Sequence, residues 1–276
     1  MKCKITGDKL SPFMSFGKMP SANGFLDENN FDNEFFYEME VGFSSKVSLL
    51  QLNEFSNPVK VHNDRYPFYT SSSLNMKKHF NQFAHWLKEK YLHHGSKLIE
   101  VGSNDGTLLE NFKNTNIEAV GFEPSITIAE LANKKGIKTL SKFFNTQNLD
   151  EIKNFHSSVD VICSANVIAH IPDLKDVIKC VDKLLSSKGL LIFEEPYLGS
   201  MFSKISYDQI YDEHIFMFSV NSIKKIFDLF DFELIDVLPQ VTHGGSMRYV
   251  IARKNKHKKS EIVSRFLDAV MPTSAF

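Results

Sequence analysis

From Lys97 onward, short apolar segments alternate with longer amphipathic segments, and this alternation limits the fold more than any other feature of the chain. The apolar segments have the length of buried strands and lie at 97–101, 118–122, 138–140, 160–164 and 189–193. Strands that alternate with helices form a parallel sheet with helices on both faces. The sequence therefore predicts an α/β fold with a Rossmann-like core.

The segments between and around these strands predict helices. They lie at 75–93, from Thr107 onward, and at 126–135, 174–185, 222–230 and 260–270. In the first of them, the large apolar side chains fall on one face at helical spacing. Two late strands at 232–237 and 247–252 suggest an antiparallel pair at the sheet edge. No internal repeat is evident.

Residues 1 to about 75 differ from the rest in being rich in Phe, Asn, Ser and Pro. Strand-like pieces occur at Met39–Phe43 and Lys46–Leu52, without a long helical period. We therefore expect a small, irregular, β-containing N-terminal lobe over 1–75, a core over 76–256 and a C-terminal helix over 257–276.

Composition excludes several classes of protein. The formal net charge of −1 gives no reason to expect nucleic acid as a partner. Three cysteines cannot build a disulfide framework, and no apolar run approaches the roughly 20 residues of a membrane span. The N-terminus has no secretory signal, so the expected location is the cytoplasm.

The segment Glu100–Gly106 (EVGSNDG) joins a strand to the next element and indicates a cofactor site. A glycine turn lets a ligand approach the backbone, and Glu123 follows Gly102 by 21 residues, where an acid can bind ribose hydroxyls. Asn104 stands where a dinucleotide-binding turn has its second glycine. S-adenosylmethionine carries no phosphate, so this turn favours it over a dinucleotide.

The roles within this site follow from position. Glu100 and the Gly102 turn are expected at the methionine end, Glu123 at the ribose, and Asn166 near the sulfonium. Phe143 or Phe144 either covers the adenine or packs in the core. The predicted cofactor-binding residues are Glu100, Gly102, Ser103, Asn104, Gly106, Glu123, Pro124, Phe143, Phe144 and Asn166.

Several motifs resemble a known family, the C-methyltransferases that act on nucleotide-linked 4-keto deoxysugars. The motifs are PSANGFL (20–26), YPFYTSSS (66–73), EVGSNDGTLL (100–109), GFEPS (121–125), NVIAHIPDL (166–174), FEEPYLG (193–199), YDQIYDEHIFMFS (207–219) and HGGSMR (243–248). The resemblance covers nearly the whole chain. It implies a class I methyltransferase core that binds S-adenosylmethionine and releases S-adenosylhomocysteine.

The resemblance also implies an acceptor site. His214 is the leading candidate for the general base, with Tyr211 and Glu213 beside it; Glu213 either orients His214 or is itself the base. His170 and Tyr69 would hold the acceptor, with Tyr66 and His243 as further binding residues. Simpler alternatives exist: His170 as a helix cap, His243 as part of a tight turn, and both tyrosines as packing residues.

The chain departs from this family at both ends. The family's N-terminal lobe binds zinc through two C-x-x-C pairs, but here the matching residues are Cys3, Thr6, Ser44 and Val47. One thiolate cannot make a tetrahedral zinc site, so we expect no zinc and no other metal. The resemblance also leads us to expect that the family's C-terminal lobe is missing, either in a truncated gene product or in a shorter relative with a changed acceptor; 257–276 would be a remnant.

Three functions remain open. The first is C-methylation alpha to a ketone of a nucleotide-linked sugar, in bacterial surface or antibiotic sugar synthesis. The second is O- or N-methylation of a capsule or polysaccharide precursor, since a base such as His214 would also deprotonate a hydroxyl. The third is a non-catalytic S-adenosylmethionine-binding partner of a larger enzyme. The oligomeric state is left open by the sequence.

Overall fold

The computed structural model describes residues 1–23, 25–56 and 67–268, which form two compact units. One unit contains residues 67–165 and 175–193, and the other contains the described parts of 1–56 with 166–174 and 194–268. The strands are β1 Ser11–Pro20, β2 Phe36–Ser44, β3 Leu49–Leu52, β4 Lys97–Val101, β5 Glu118–Phe122, β6 Thr139–Leu140, β7 Val159–Ala165, β8 Leu185–Pro196, β9 Phe216–Met217, β10 Phe232–Gln240 and β11 Ser246–Arg253. The helices are α1 Leu74–Lys90, α2 Ile126–Lys134, α3 Leu174–Leu184, α4 Leu198–Lys204, α5 Val220–Asp228 and α6 Glu261–Asp268.

The unit that contains β4 is built on a parallel sheet in the order β8-β7-β4-β5-β6. Strand β4 pairs in parallel with β5 and with β7, and β5 pairs in parallel with β6. Glu100 is opposite Gly121 on one side and Cys163 on the other. These strands are buried almost throughout, as expected for a sheet covered on both faces. The predicted α/β class is confirmed.

Helix α1 confirms the segment predicted at 75–93, with its end three residues earlier than expected. The Ser73 side chain caps it by accepting a hydrogen bond from the N–H of Met76. The buried face contains Phe80, Phe83, Ala84 and Leu87. Helices α2 and α3 likewise occupy segments predicted as helices, at 126–135 and 174–185.

The helix predicted from Thr107 is wrong. The chain forms turns there and then a short 3-10 helix, Leu109–Phe112. The Asn111 side chain donates hydrogen bonds to the carbonyl oxygens of Thr107 and Leu108. A short polar side chain that bonds the local backbone competes with the helical hydrogen-bond pattern, and this competition accounts for the difference.

The other unit contains a four-stranded antiparallel sheet in the order β1-β2-β3-β9. Its buried face includes Val41, Leu50 and Leu52, packed against Leu198 and Met201 of α4. Strands β10 and β11 form the antiparallel pair that the sequence indicated, in the order β10-β11-β8. Ser219 and Ser222 form a reciprocal capping box at the start of α5.

Among the described residues, no helix combines the length and hydropathy that crossing a bilayer requires.

Candidate active site

The glycine turn after β4 is held by the neighbouring strand. The N–H groups of Gly102 and Ser103 both donate to the carbonyl oxygen of Phe122, at 2.8 and 3.0 Å. Gly102 and Gly106 have positive φ angles of 69° and 78°, which glycine adopts without strain. The turn is therefore a fixed, left-handed piece of backbone at the carboxyl end of β4.

Glu123 lies beside this turn at the end of β5, and its carboxylate is fixed by two backbone groups. Oε2 accepts from the N–H of Asn104 at 3.1 Å, and Oε1 accepts from the N–H of Ser125 at 2.9 Å. Burial raises the pKa of Glu123, while these two N–H groups act to lower it. Each oxygen retains a lone pair, so the carboxylate can accept a further pair of hydroxyl donors.

Glu100 and Ser103 present polar atoms that no described group satisfies. Oε2 of Glu100 and Oγ of Ser103 are buried without a hydrogen-bond partner among the described residues. Burial, and then the charges of Glu123 and Asp105, raise the pKa of Glu100 well above its usual value. A cationic group that donates hydrogen bonds would relieve this arrangement, and the ammonium group of S-adenosylmethionine has that chemistry. The site fits this cofactor.

The Asn104 side chain connects the turn to the segment that carries Tyr69. Its Oδ1 accepts from the N–H of Thr70 at 2.9 Å, and its Nδ2 donates to the carbonyl oxygen of Phe68 at 3.1 Å. Oδ2 of Asp105 accepts from the N–H of Ser71 at 3.2 Å. Half-buried Tyr69 is thereby held near the glycine turn. Tyr66, the other tyrosine predicted to bind the acceptor, lies outside the described residues.

The two candidate adenine-covering residues differ in environment. Phe144 is buried and makes an edge-to-face contact with Phe122, with ring centroids 5.1 Å apart. Phe143 is only half-buried, as is Pro124. Phe144 thus packs in the core, and Phe143 is the candidate that remains open to a ligand.

A second group of polar residues is assembled in the other unit, around His214. The Nδ1 atom of His214 lies 2.7 Å from the carbonyl oxygen of Gln209. A carbonyl can only accept, so Nδ1 carries the proton and Nε2 carries the lone pair. Burial lowers the pKa of His214 to about 4. His214 is therefore a neutral imidazole with an unprotonated Nε2 at physiological pH.

Tyr211, His170 and Glu213 surround this imidazole. The ring centroids of Tyr211 and His170 lie 4.3 and 5.2 Å from that of His214. Oε2 of Glu213 lies 3.7 Å from Nδ1 of His170. Oε1 of Glu213 accepts a hydrogen bond from the side-chain amide of Asn23. Among the contacts of the described residues, Glu213 thus faces His170, whereas the carbonyl of Gln209 orients His214.

Burial raises the pKa of several groups in this cluster. For Glu213, burial acts against the hydrogen bond from Asn23. For Tyr211, burial is assisted by the charges of Glu213, Asp212 and Glu195. The cluster is thus a buried set of acids and bases with perturbed proton affinities, which is a common property of catalytic sites.

Asn166 and His243 occupy strained backbone conformations in the same unit. Asn166 has a φ of 58°, donates its N–H to the carbonyl oxygen of Glu194 at 2.8 Å, and has a buried Oδ1 without a partner among the described residues. His243 has a φ of 48° and is exposed, yet its positive charge acts to lower the pKa of His214. Non-glycine residues with positive φ concentrate at functional sites.

The sequence interpretation missed several residues of this cluster. Glu195 accepts hydrogen bonds from the backbone beside His170, and Glu194 forms a buried ion pair with Arg248, with Nε and Oε1 2.7 Å apart. The N–H of Ala22 donates to Asp212 at 3.1 Å. These residues all lie within the quoted motifs or beside Asn23, so the motifs contained the signal but gave no role to them.

The four positions that match the family's zinc ligands lie in a buried part of the N-terminal region. Cys3, Ser44 and Val47 are each at most 2% exposed. Burial opposes ionisation of the Cys3 thiol, yet the hydroxyl groups of Thr6 and Ser44 and nearby backbone groups hold its pKa below the usual value. One thiol, two hydroxyls and a valine do not fit a structural zinc site. The described residues contain no group of three or more His, Cys, Asp or Glu that could hold a metal.

Comparison with known proteins identifies the class. Residues 69–237 match the family model described as "Methyltransferase domain", which covers more than half of the chain. The chain therefore belongs to the methyltransferase domain family, in its S-adenosylmethionine-dependent, Rossmann-like class. Residues 3–61 match a second model, described as "Putative zinc binding domain".

Among curated proteins, the chain is similar to C-methyltransferase NovU of Streptomyces niveus, with 29% identity over 249 residues, or 89% of this chain and 59% of that protein. It is 24% identical over 110 residues to the ubiquinone biosynthesis O-methyltransferase of Pasteurella multocida, which covers 36% of this chain and 46% of that protein. The chain spans less than two thirds of the length of either relative.

Two solved structures show the same fold at low identity. The PH0226 protein of Pyrococcus horikoshii superposes with a TM-score of 0.52 and 14% identity, over 68% of this chain and 95% of that one. The magnesium protoporphyrin IX methyltransferase of Synechocystis, with bound S-adenosylhomocysteine, gives 0.51 and 14%, over 73% and 90%. These likenesses confirm the class I methyltransferase fold.

Proposed function

We propose that the protein transfers a methyl group from S-adenosylmethionine to a carbon alpha to the ketone of a nucleotide-linked sugar. The observation that carries this proposal is the neutral His214, whose Nδ1–H donates to the carbonyl oxygen of Gln209 and whose Nε2 carries the lone pair. The similarity to C-methyltransferase NovU supports the choice of carbon as the nucleophile.

The cofactor supplies an electrophilic methyl group when bound. Glu123 would hold the ribose, Glu100 and Ser103 the methionine end, and Phe143 the adenine. The fit rests on the unsatisfied Oε2 of Glu100 and Oγ of Ser103 and on the fixed carboxylate of Glu123. We propose no zinc, because the donor set at Cys3, Thr6, Ser44 and Val47 does not suit it.

In the acceptor group, Nε2 of His214 would remove the proton alpha to the ketone. The C–H electron pair would then form an enolate on the acceptor, and the enolate carbon would form a bond to the methyl group as the bond between that group and sulfur breaks, which leaves S-adenosylhomocysteine. Tyr211 is protonated because its pKa is raised, so its hydroxyl can donate to the enolate oxygen. The Glu213–His170 pair would hold the acceptor, with Tyr69, Tyr66 and His243 as further contacts; Glu213 is the alternative base.

We also propose the domain division 1–75, 76–256 and 257–276 as the functional segmentation. In it, the N-terminal lobe contributes to acceptor binding, and the central segment binds the cofactor. The small-molecule acceptor is the expected partner, without nucleic acid or membrane.

Proton exchange tests the acceptor chemistry without turnover. The probe is dTDP-4-keto-6-deoxyglucose in D₂O with S-adenosylhomocysteine present, and deuterium uptake alpha to the ketone is followed by NMR. We expect uptake by the wild type and a loss of about 100-fold in His214→Asn, in line with the removal of a general base. His156→Asn, at an exposed histidine, is the matched control.

The outcomes separate the candidate functions. Methylation of an acceptor without a ketone, in the absence of exchange, would instead establish O- or N-methylation. Cofactor binding without methylation of either type of acceptor would establish a non-catalytic binding partner. Exchange that falls in Glu213→Gln and persists in His214→Asn would move the base to Glu213.

Titration with S-adenosylhomocysteine tests the cofactor site separately. Glu123→Ala should weaken binding by about 10- to 100-fold, because it removes hydrogen bonds to a charged acceptor. Glu118→Ala, an exposed glutamate on the same strand, should bind as the wild type does. Equal affinity of the two variants would refute the ribose assignment.

A further inference from the structure

Glu195, near the end of β8, has a fully buried carboxyl group that takes no part in the proposed binding of the cofactor or in the proposed acceptor chemistry. Its Oε1 accepts hydrogen bonds from the N–H groups of Val167 and Ala169, at 3.0 and 3.2 Å. Its Oε2 is buried and has no hydrogen-bond partner among the described residues. The carboxyl group thus binds the backbone at the start of the short 3-10 helix, Ile168–His170.

Glu195 accounts for a large share of the hydrogen bonds that the backbone of this short helix makes with the rest of the fold, and buried Ile168 and Ala169 add packing contacts. The helix is three residues long, and the side chain of its N-cap residue, Val167, provides no cap. The backbone hydrogen bonds in and beside it are those from Asn166 to Glu194, from His170 to Val167 and from Ile171 to Ile168. Glu195 therefore supplies two of the contacts that determine where His170 lies.

The position of His170 matters because its ring closes the acceptor cluster. The ring lies 5.2 Å from that of His214 and its Nδ1 lies 3.7 Å from Glu213. A shift of the helix backbone by one ångström would change both distances. Misplacement of that size can cost about 100-fold in rate.

We propose that Glu195 is a positioning residue for the acceptor site, which acts through the 167–169 backbone to hold His170 against Glu213 and His214. This proposal rests on the proposed function only where activity is the readout. The position of the His170 ring is a readout of its own.

The proximity of Glu195 to the acceptor cluster supports this assignment. Its charge acts to raise the pKa of Tyr211, so the carboxyl group lies within electrostatic reach of that ring. Burial raises the pKa of Glu195 itself to about 8, against the hydrogen bonds from Ala169 and Val167. The neutral and ionised forms both keep Oε1 as an acceptor, so the positioning contact survives either state.

Three variants test the positioning role. Glu195→Gln keeps a side-chain carbonyl oxygen for the two N–H donors, whereas Glu195→Ala removes the acceptor. Glu233→Ala is the matched control, because Glu233 is also a buried glutamate that accepts a backbone N–H, from Asn255 at 2.7 Å, and it lies on β10.

The first measurement is the imidazole ¹⁵N spectrum, with His170 assigned from the spectrum of His170→Gln. We expect the His170 resonances to shift in Glu195→Ala, to stay close to the wild type in Glu195→Gln, and to stay unchanged in Glu233→Ala. Unshifted His170 resonances in a folded Glu195→Ala would overturn the proposal, whatever the activity of the enzyme.

The second measurement is a double-mutant cycle on the exchange rate of dTDP-4-keto-6-deoxyglucose at saturating probe. We expect Glu195→Ala to slow exchange by about 100-fold in the wild type, with unchanged binding of S-adenosylhomocysteine. In the His170→Ala background, Glu195→Ala should slow exchange by no more than about twofold. Deviations of that size are also found between mutations at sites that do not interact. A full loss in both backgrounds would show that Glu195 does not act through His170.

Failure of the proposed function gives a different pattern. If the wild type exchanges no proton of the probe, the acceptor chemistry is refuted, while the spectrum still decides the positioning of His170. If Glu195→Ala does not fold, Glu195→Gln decides: a shifted His170 spectrum in that folded variant would refute positioning through an acceptor oxygen.

Discussion

Nδ1 of His214 lies 2.7 Å from the carbonyl oxygen of Gln209, and this single contact fixes the tautomer of the imidazole. The side chain is buried, and its pKa is lowered to about 4. The folded protein thus holds a neutral histidine where the unfolded chain holds one that protonates near its ordinary value. This difference has consequences for the stability of the fold as well as for catalysis.

The first prediction is that His214 makes the fold sensitive to mild acid. As the pH falls below 6.5, the unfolded chain takes up a proton at His214 and the folded chain does not until about pH 4. The wild type should therefore lose about 2 kcal/mol more unfolding free energy between pH 7 and pH 5 than His214→Asn does. Urea unfolding at both pH values measures this, and equal losses would contradict the assigned burial.

The second prediction concerns two glycines that share a conformation and differ in surroundings. Gly106 and Gly95 have φ angles of 78° and 84°, but a Cβ atom at Gly106 would lie 2.7 Å from Cδ1 of buried Ile137, whereas a Cβ at Gly95 meets nothing within 4 Å. Gly95→Ala should cost about 1–2 kcal/mol from backbone strain alone.

Gly106→Ala should cost about 1–3 kcal/mol more than Gly95→Ala, because it adds overpacking to the strain. It should also weaken binding of S-adenosylhomocysteine, since Gly106 belongs to the cofactor turn and Gly95 does not. Urea unfolding and titration of the two variants test this. Equal unfolding free energies would mean that Ile137 moves aside without cost.

The sequence predicted the parts of the fold that local pattern determines. Strands β4, β5, β7 and β8 each contain a short apolar run, and the residue types of the Glu100–Gly106 turn indicate a cofactor site. Strand β1 was not predicted. Its side chains are mostly exposed, and it contains Pro12 and Gly17, which disfavour strands. It forms because β2 offers a partner, and such pairing is invisible to local periodicity.

The candidate site likewise contains residues that the sequence predicted and one that it did not. His170, Glu213 and His214 were predicted from motifs, whereas Glu195 was quoted within a motif and given no role. Its importance comes from contacts with the N–H groups of Val167 and Ala169, which lie 28 and 26 residues earlier in the chain. No spacing rule relates these positions, so the fold itself is needed to reveal the relationship.

The third prediction concerns the effect of Glu195 on stability between pH 5 and pH 8. Burial raises its pKa to about 8, and the groups that face it are Glu194, Tyr211, Tyr249 and the backbone of 167–169. Between pH 4.5 and 8 the folded chain therefore holds a proton that the unfolded chain has released. By linkage, this contribution to stability is present at low pH and is lost as the pH rises.

Glu195→Gln removes this titration. Its unfolding free energy should fall less between pH 5 and pH 8 than that of the wild type. Glu151→Gln, at an exposed glutamate, is the control and should keep the pH dependence of the wild type. Urea unfolding at several pH values in this range measures the change. If the unfolding free energy of all three proteins changed equally with pH, the buried, protonated state of Glu195 would be refuted.

The fourth prediction is that the N-terminal region folds without zinc, although residues 3–61 match a zinc-binding family model. The positions of the four family ligands supply one thiol, at Cys3, which the hydroxyl groups of Thr6 and Ser44 surround. A structural zinc ion requires four ligands, and its removal unfolds domains that depend on it. Purified protein should therefore contain far less than one zinc per chain, and a chelator should leave the unfolding temperature unchanged.

A variant that supplies four thiols provides the positive control for this prediction. Thr6→Cys, Ser44→Cys and Val47→Cys together restore the ligand set at the matched positions, and that protein should bind zinc and lose stability when a chelator is added. Elemental analysis and thermal unfolding of both proteins decide the question. Stoichiometric zinc in the wild type, or a lower unfolding temperature of the wild type with chelator, would show that other donors complete the site around Cys3. If neither result is found, packing and hydrogen bonds stabilise the N-terminal region without a metal ion.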